Sequence, residues 1–469
     1  RGLMPQMTAA MDIAFQSTVL DIDTMLRVEG REFIKVVTGP VAKNMITAFF
    51  FQLNKINGGA SRPSGVEKNP TRKLGILGAG MMGQGIAYVA ARSGIEVILK
   101  DMTQEAADKG KSYSEGLVAK AVKRGKMFQS QADSLLGLIT PTAKDEDLQG
   151  CDLIIEAVFE NIELKNKIIG NTEKYLSDDG FWGSNTSTLP ITELAKAASK
   201  PANFVGIHFF SPVDKMPLIE IIVGDKTSDE ALAKAFDFTQ QIRKTPIVVN
   251  DSLGFFTSRT FGTYLDEGLQ LLTEGVHPVK IDNMGKAIGM PVGPLQVGDE
   301  TSLELARKAG ETWAAMGVED KWSDGTVTRR VIKDMIDGHG RGGRHHGGGY
   351  YEYHADGSKN IWPGLYDLYY KEDTHVPDED VKDRLMFRQV IEALKCLQSG
   401  VLRSVADGNI GSIMGIGAPA HTGGLIQYVN TYGFDKFIAR CDELAATYGD
   451  RFECPEIVKK HAKSGQLML

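Results

Sequence analysis

One stretch limits what this chain can fold into more than any other: Lys73-Leu-Gly-Ile-Leu-Gly78-Ala-Gly80-Met-Met-Gly83-Gln-Gly85-Ile-Ala. A short apolar run ends in Gly-x-Gly-x-x-Gly and passes straight into a helix-forming segment. That order predicts a strand, a tight turn and a helix start. Gly78 permits the turn, Gly80 has no side chain to block a pyrophosphate, and Gly83 lets the helix pack close on the strand. The free N–H groups and the positive end of the helix then face the phosphates. Gly94 ends the helix, Ile95–Lys100 reads as a second strand, and Asp101 stands at its end. An acid in that place holds a ribose 2′-hydroxyl. No arginine directly follows Asp101, so the pattern favours NAD over NADP. The competing reading is a structural turn beside a surface acid.

The chain has 469 residues, enough for two or three domains. It is 42% hydrophobic and 24% charged, an ordinary globular composition. The formal net charge of −7 argues against bulk nucleic-acid binding. Cys151, Cys396, Cys441 and Cys454 are scattered without a CxxC pair, which fits a reducing compartment and no structural zinc. No apolar run approaches the ~20 residues that span a bilayer. The sequence begins at Arg1, so a processed chain or a fragment of a longer protein is an open expectation.

Residues 1–57 have helix-like apolar spacing but are too few to form a domain, so they are expected to pack on the main body or on a partner domain. Residues 58–70 read as a flexible linker. From 71 to 250 apolar strands alternate with helices, which predicts a Rossmann-like, mostly parallel sheet covered on both faces. Ligands of such sheets sit at the carboxyl ends of the strands, where Glu160, Ser187 and His208 fall. Past 251 strand-like runs disappear and an all-α domain is expected, made of two diverged tandem repeats at 251–375 and 376–469. The repeat is visible as Glu267…Gly275…Asp282 against Glu392…Gly400…Asp407, and as Gly289-Met-Pro291 against Gly417-Ala-Pro419. The glycine-rich loop 338–351 carries His339, His345 and His346, but no acid or cysteine there has metal-ligand spacing, so no metal site is expected. A basic segment after Asp101 (Lys109, Lys111, Lys120, Lys123, Arg124, Lys126) is either a solvated helix pair or a landing site for a phosphorylated substrate handle.

A nicotinamide moves hydride but not protons, so alcohol oxidation needs a base. His208 is the candidate. Glu220, in the apolar run Pro217-Leu-Ile-Glu-Ile-Ile, wants a charged or donor partner if buried. A hairpin-like return would bring the two together as a dyad; the alternative is a core histidine and a separate edge-strand acid. Ser187 in Asn185-Thr-Ser-Thr could hold a substrate oxygen, or cap the helix that follows. Glu160 and Lys165 could act together at a helix start, or be surface charges.

The strings Gly78–Asp101, Glu156-Ala-Val-Phe-Glu-Asn161, Ser184-Asn-Thr-Ser187, His208-Phe-Phe-Ser-Pro-Val…Glu220 and Asp251-Ser-Leu-Gly-Phe-Phe-Thr-Ser258-Arg resemble the L-3-hydroxyacyl-CoA dehydrogenase family from residue 71 to 469. Residues 38–45 resemble the helical linker ahead of the dehydrogenase part in the α subunit of multifunctional fatty-acid oxidation complexes, whose hydratase domain would come before it. The resemblance implies oxidation of (S)-3-hydroxyacyl-CoA to 3-ketoacyl-CoA with NAD. It makes His208 the base, Glu220 its partner and Ser187 a donor to the substrate oxygen. Met82, Asp101, Glu160, Lys165, Ser187, Ser211 and the glycines Gly78, Gly80 and Gly83 would contact NAD, and Ser187, Ser211 and Ser258 would contact the substrate. The basic helices would approach the CoA phosphates. It also implies a thiolase partner, an oligomer, and a bacterial cytoplasmic location, with the mitochondrial matrix as alternative. Ser211 and Ser258 replace the family's two active-site Asn residues, Leu253 replaces a Pro, and Arg344-His345-His346 departs from the family's loop. Rival readings are a dehydrogenase of a non-CoA hydroxy acid, and a catalytically impaired scaffold that binds NAD or CoA.

Overall fold

The computed structural model describes residues 2–315 and 325–469. Among these the chain divides into two compact units. One holds Asn54–Thr257 with Gly400–Arg403; the other holds the residues before Asn54 together with Ser258–Ser399 and Ser404–Leu469.

The first unit is a single eight-stranded sheet. Its strands are β1 (Lys73–Leu77), β2 (Glu96–Lys100), β3 (Ile139–Thr142), β4 (Cys151–Glu156), β5 (Leu176–Ser184), β6 (Phe204–Phe209), β7 (Leu218–Val223) and β8 (Thr245–Asn250). They lie in the order β3-β2-β1-β4-β5-β6-β7-β8. Every neighbouring pair is parallel except β6–β7. Continuous apolar strands such as Leu-Ile-Glu-Ile-Ile-Val are buried on both faces, as a helix-covered parallel sheet requires. The core packs Ile86, Val89 and Ala90 of helix Met81–Arg92, and Leu232, Phe236 and Phe238 of helix Asp229–Gln241, against Ile76, Leu99, Ile155, Ile207 and Ile221. Sequence reading passes over β3, because Ile-Thr-Pro-Thr is short and Pro141 argues against a strand. A proline is tolerated there because β3 is an edge. The stretch 58–70, expected as a flexible linker, is anchored: Arg62 donates to both carboxylate oxygens of Asp237 at 2.7 and 2.8 Å and to the carbonyls of Pro63 and Val66.

The second unit is helical, with one departure from the all-α expectation: a two-stranded antiparallel hairpin, Tyr351–Tyr353 with Lys359–Ile361. The glycine-rich loop that leads into it is organised by buried Asp299, whose carboxylate accepts from the N–H groups of Tyr350 and Tyr351.

The two stretches matched as repeats in the sequence meet in reciprocal contacts. Arg259 of the first copy pairs with buried Glu392 of the second at 2.5 Å, and Arg384 of the second pairs with buried Glu267 of the first at 2.6 Å. The two pairs share the sequence offset that relates Gly275 to Gly400. Gly289 and Gly417 both have positive φ, at +108° and +74°, and each faces the other copy's proline. A Cβ on Gly289 would lie 2.9 Å from Pro419, and one on Gly417 would lie 2.9 Å from Pro291. One match slips. Asp282 caps helix Pro294–Thr301 through Leu295 and Gln296, but in the second copy Asn409, not Asp407, caps helix Leu425–Tyr432 through Ile426 and Gln427.

The N-terminal helices settle on this same unit. Asn44 accepts from Gln427 and Thr431, and Gln52 accepts from Asn409. Replacing fully buried Arg384, which also bonds Glu274 at 2.6 and 2.7 Å, removes a charge shared by two carboxylates. Arg384→Met is expected to cost about 3–5 kcal/mol, the scale of a broken buried pair, read as a lower midpoint in urea unfolding.

Candidate active site

The site is assembled at the carboxyl ends of the parallel strands, beginning with the glycine turn after β1. Gly78 has φ +100°, and a Cβ there would press 2.8 Å from the carbonyl oxygen of Ala157. A Cβ on Gly83 would overlap the Gly78 carbonyl at 1.8 Å, so the helix has closed on the turn. A Cβ on Gly80 would meet nothing within 4 Å. The three glycines therefore differ as a phosphate-binding turn demands: two are forced by packing, and one faces open space beside the N-terminus of helix Met81–Arg92. Met82 is half-buried in that first turn.

Asp101, at the end of β2, is tied to the turn. One oxygen accepts from the N–H of Ala79 at 2.7 Å and the other from Met102 at 2.7 Å. Each oxygen keeps a lone pair for a sugar hydroxyl. A concavity of about 100 Å³ beside Asp101 is lined by Gly78, Lys100, Val158, Ile168 and Asn171.

Beyond β4 lies a series of buried charges. Lys165 is fully buried, and its Nζ donates to both oxygens of Glu156 at 2.7 and 2.8 Å, with Glu160 Oε2 at 3.3 Å. Burial alone would lower this ammonium, but Glu156 and Glu160 outweigh it and hold it above the usual lysine range. Glu160 Oε1 accepts from the Thr186 hydroxyl at 2.9 Å and the Ser187 N–H at 2.7 Å, so it orders the turn after β5. Its Oε2 is the oxygen that faces the Lys165 ammonium at 3.3 Å, so Glu160 links the buried lysine to that turn. Sequence reasoning missed the role of Glu156. The available signal was a carboxylate ending an otherwise apolar strand, the same signal that picked out Glu220.

Ser187 is half-buried, and among the described residues its hydroxyl has no protein partner. It is not the cap of the next helix. Asp251 takes that role, accepting from Ile191 and Thr192 at 3.0 and 2.7 Å.

The antiparallel return is what brings the dyad together. The β6–β7 connection is too short for a parallel crossover, so β7 turns back, and the register sets His208 directly opposite Glu220. Nδ1 of His208 lies 2.9 Å from Glu220 Oε2. His208 is 5% exposed and Glu220 fully buried. The carboxylate accepts four hydrogen bonds: Oε1 from the N–H groups of Phe256 and Thr257 at 3.0 and 3.1 Å, and Oε2 from His208 and the Thr257 hydroxyl, the latter at 2.5 Å. The imidazole ring is flanked by Phe210, centroids 4.6 Å apart, and by Phe255. A buried carboxylate beside Nδ1 fixes the tautomer with the proton on Nδ1, leaving Nε2 as an acceptor.

The loop after His208 is pinned from below by Lys244, also missed from sequence. Its Nζ donates to the carbonyls of Val213 and Met216 at 2.7 and 2.5 Å, and burial lowers it to about 8. Ser211 in this loop is exposed, with Met81 Sδ 3.8 Å away. Ser258 opens the helical unit, half-buried in the first turn of helix Thr257–Glu274.

Residues 73–252 match the 3-hydroxyacyl-CoA dehydrogenase NAD binding domain, and residues 254–353 match the C-terminal domain of the same enzymes. The chain belongs to the 3-hydroxyacyl-CoA dehydrogenase family. Among its relatives, the fatty acid oxidation complex subunit alpha of Shewanella sp. (strain MR-4) is 33% identical over 99% of this chain, which spans 65% of that protein's length. A (S)-3-hydroxybutyryl-CoA dehydrogenase from Ralstonia eutropha is 32% identical with a TM-score of 0.56, over 61% of this chain and 99% of that one. The 3-hydroxybutyryl-CoA dehydrogenase of Escherichia coli K12 shares the fold at a TM-score of 0.71 and 22% identity, over 84% of this chain and 99% of that one. In this NAD-binding domain the open face at Gly80 and the spare lone pairs of Asp101 both fit a dinucleotide.

The glycines separate fold from binding experimentally. Gly83→Ala is expected to lower the melting temperature sharply, because its Cβ collides with backbone. Gly80→Val is expected to cost only about 1 kcal/mol, the scale of a poorer N-cap residue, while weakening NADH binding in a fluorescence titration.

Proposed function

We propose that this chain catalyses the NAD-dependent oxidation of (S)-3-hydroxyacyl-CoA to 3-ketoacyl-CoA in fatty-acid β-oxidation. The observation that carries the reading is the buried His208–Glu220 pair in the same sheet that carries the glycine turn of an NAD-binding domain. Nε2 of His208 takes the proton from the 3-hydroxyl as the base. The imidazolium that forms is balanced by the Glu220 carboxylate 2.9 Å from Nδ1. The Ser187 hydroxyl donates to the substrate oxygen. Bound NAD would supply the acceptor for the hydride leaving carbon 3. The open turn at Gly78, Gly80 and Gly83, with Met82, Asp101, Glu160 and Lys165, holds the dinucleotide, and the Lys165–Glu156 pair keeps Glu160 in place. Ser211 and Ser258 assist at the sites where the family carries Asn, each supplying one hydroxyl in place of an amide.

Support for a CoA ester comes from helix Gln104–Lys123 and the turn after it. Lys109, Lys120, Lys123, Arg124 and Lys126 are exposed there, and among the described residues none of them is in an ion pair. Such a row of free cations suits a phosphorylated handle.

The relatives' longer chains and the exposed apolar side chains of the N-terminal helices support a further part of the reading. Met11, Phe15, Val19 and Ile22 are each more than 70% exposed, more apolar surface than a free helix pair normally carries. We assign that surface to a hydratase domain of a bacterial, cytoplasmic fatty-acid oxidation complex with a thiolase partner. Among the described residues no helix is long and apolar enough to cross a membrane.

The test is consumption of NADH with acetoacetyl-CoA, followed by absorbance, against free acetoacetate. Turnover of the thioester and not of the free acid is expected, and His208→Ala should lose at least ~10²-fold. A folded protein that binds NADH and CoA without turnover would favour a scaffold instead, and preference for the free acid would favour a different dehydrogenase.

A further inference from the structure

Glu220 is held unusually fully for a carboxylate that serves a histidine. Oε1 is fixed by two backbone N–H groups, from Phe256 and Thr257. Those two bonds alone leave Oε2, the oxygen that faces His208, restrained only by the ring it is meant to orient. The terminal torsion of a glutamate is broad, so an oxygen held from one side can swing. Thr257 closes that freedom. Its hydroxyl bonds Oε2 at 2.5 Å while its own N–H bonds Oε1 at 3.1 Å, so one residue grips both oxygens of the same carboxylate. Thr257 and Glu220 are both fully buried, so water does not compete for these bonds. The β-branched side chain stands at the start of helix Thr257–Glu274 and has few rotamers to choose from. The preceding turn is held in strained backbone, with Gly254 at φ +66° and Phe255, a non-glycine residue, at φ +51°. That turn delivers the hydroxyl and the two N–H groups to the carboxylate together.

We propose that Thr257 is a positioning residue for the reaction: its hydroxyl locks Oε2 of Glu220 in the plane that keeps Nδ1–H of His208 engaged and Nε2 turned to the substrate. The inference rests on His208 being the base. It adds a third member to the dyad, one that touches neither substrate nor cofactor and acts through Glu220. A helix cap alone needs only the carboxylate and the backbone N–H groups; the hydroxyl on the histidine's own oxygen is surplus to capping.

The test uses Thr257→Val, which keeps the backbone N–H and nearly the same shape, and Thr257→Ser, which keeps the hydroxyl. Thr257→Val is expected to lower kcat with acetoacetyl-CoA about tenfold, with KM for both substrates within about threefold, the pattern of an interaction that matters in the transition state. Thr257→Ser is expected to restore most of kcat. The downfield proton resonance of His208 Nδ1–H, identified by its loss in His208→Ala, should move or broaden in Thr257→Val and return in Thr257→Ser. If the Ser variant is as slow as the Val variant, or if the resonance and kcat of the Val variant match the parent, the proposal is overturned while His208 stays the base. If His208→Ala itself keeps full activity, the underlying reading fails instead. Melting curves of both Thr257 variants accompany the kinetics, and a Val variant that fails to fold leaves the decision to the comparison of Thr257→Ser with the parent. A Ser variant that folds but shows both a kcat and a resonance like those of His208→Ala overturns the proposal.

Discussion

Everything at the site depends on keeping one carboxylate charged where water cannot reach it. Glu220 is fully buried in an apolar strand, and a lone carboxylate there would cost several kcal/mol. Four donors meet that cost: two backbone N–H groups, a hydroxyl and the imidazole. The same arrangement fixes the tautomer of His208, orders the start of helix Thr257–Glu274 and ties the return strand β7 into the sheet. Three features that look separate in the chain are consequences of satisfying one buried charge.

A second buried charge organises the cofactor side in the same way. Glu156 ends β4 as Glu220 interrupts β7, and Lys165 neutralises it from the following helix. Glu160 then spans between Lys165 and the Thr186–Ser187 turn. The cofactor and substrate sides are thus built on carboxylates that sit within the sheet, with loops hung from them by hydrogen bonds. Rigid strands carrying short, well-bonded turns are what a hydride-transfer geometry demands.

Much of this was legible in the sequence, for physical reasons. The glycine turn was, because only glycine fits at Gly78 and Gly83. The His208–Glu220 pair was suggested because a carboxylate in an apolar run needs a partner, but the pairing itself depended on strand direction, which β6–β7 register supplies and spacing does not. The tandem repeat was visible as matched Glu, Gly and Asp residues. Its reciprocal Arg259–Glu392 and Arg384–Glu267 pairs were not, since the arginines carry no motif and act across copies. The edge strand β3 was hidden by its proline, and the anchoring of 58–70 by Arg62, a single residue in a glycine- and serine-rich stretch. The parts Glu156, Lys244 and Thr257 play went unseen because each acts on another residue rather than on a ligand, and such roles have no sequence pattern.

His208 is proposed as the base from its geometry, and Ser211 and Ser258 stand where the family motif that the sequence resembles has Asn, so the catalytic claim rests on the dyad. Its most direct test is Glu220→Gln, which keeps size and hydrogen-bonding reach but removes the charge. The account predicts a folded protein whose kcat for acetoacetyl-CoA falls by ~10²–10⁴, the scale on which a histidine base depends on its carboxylate. A Glu220→Gln variant that turns over within a few fold of the parent would contradict it.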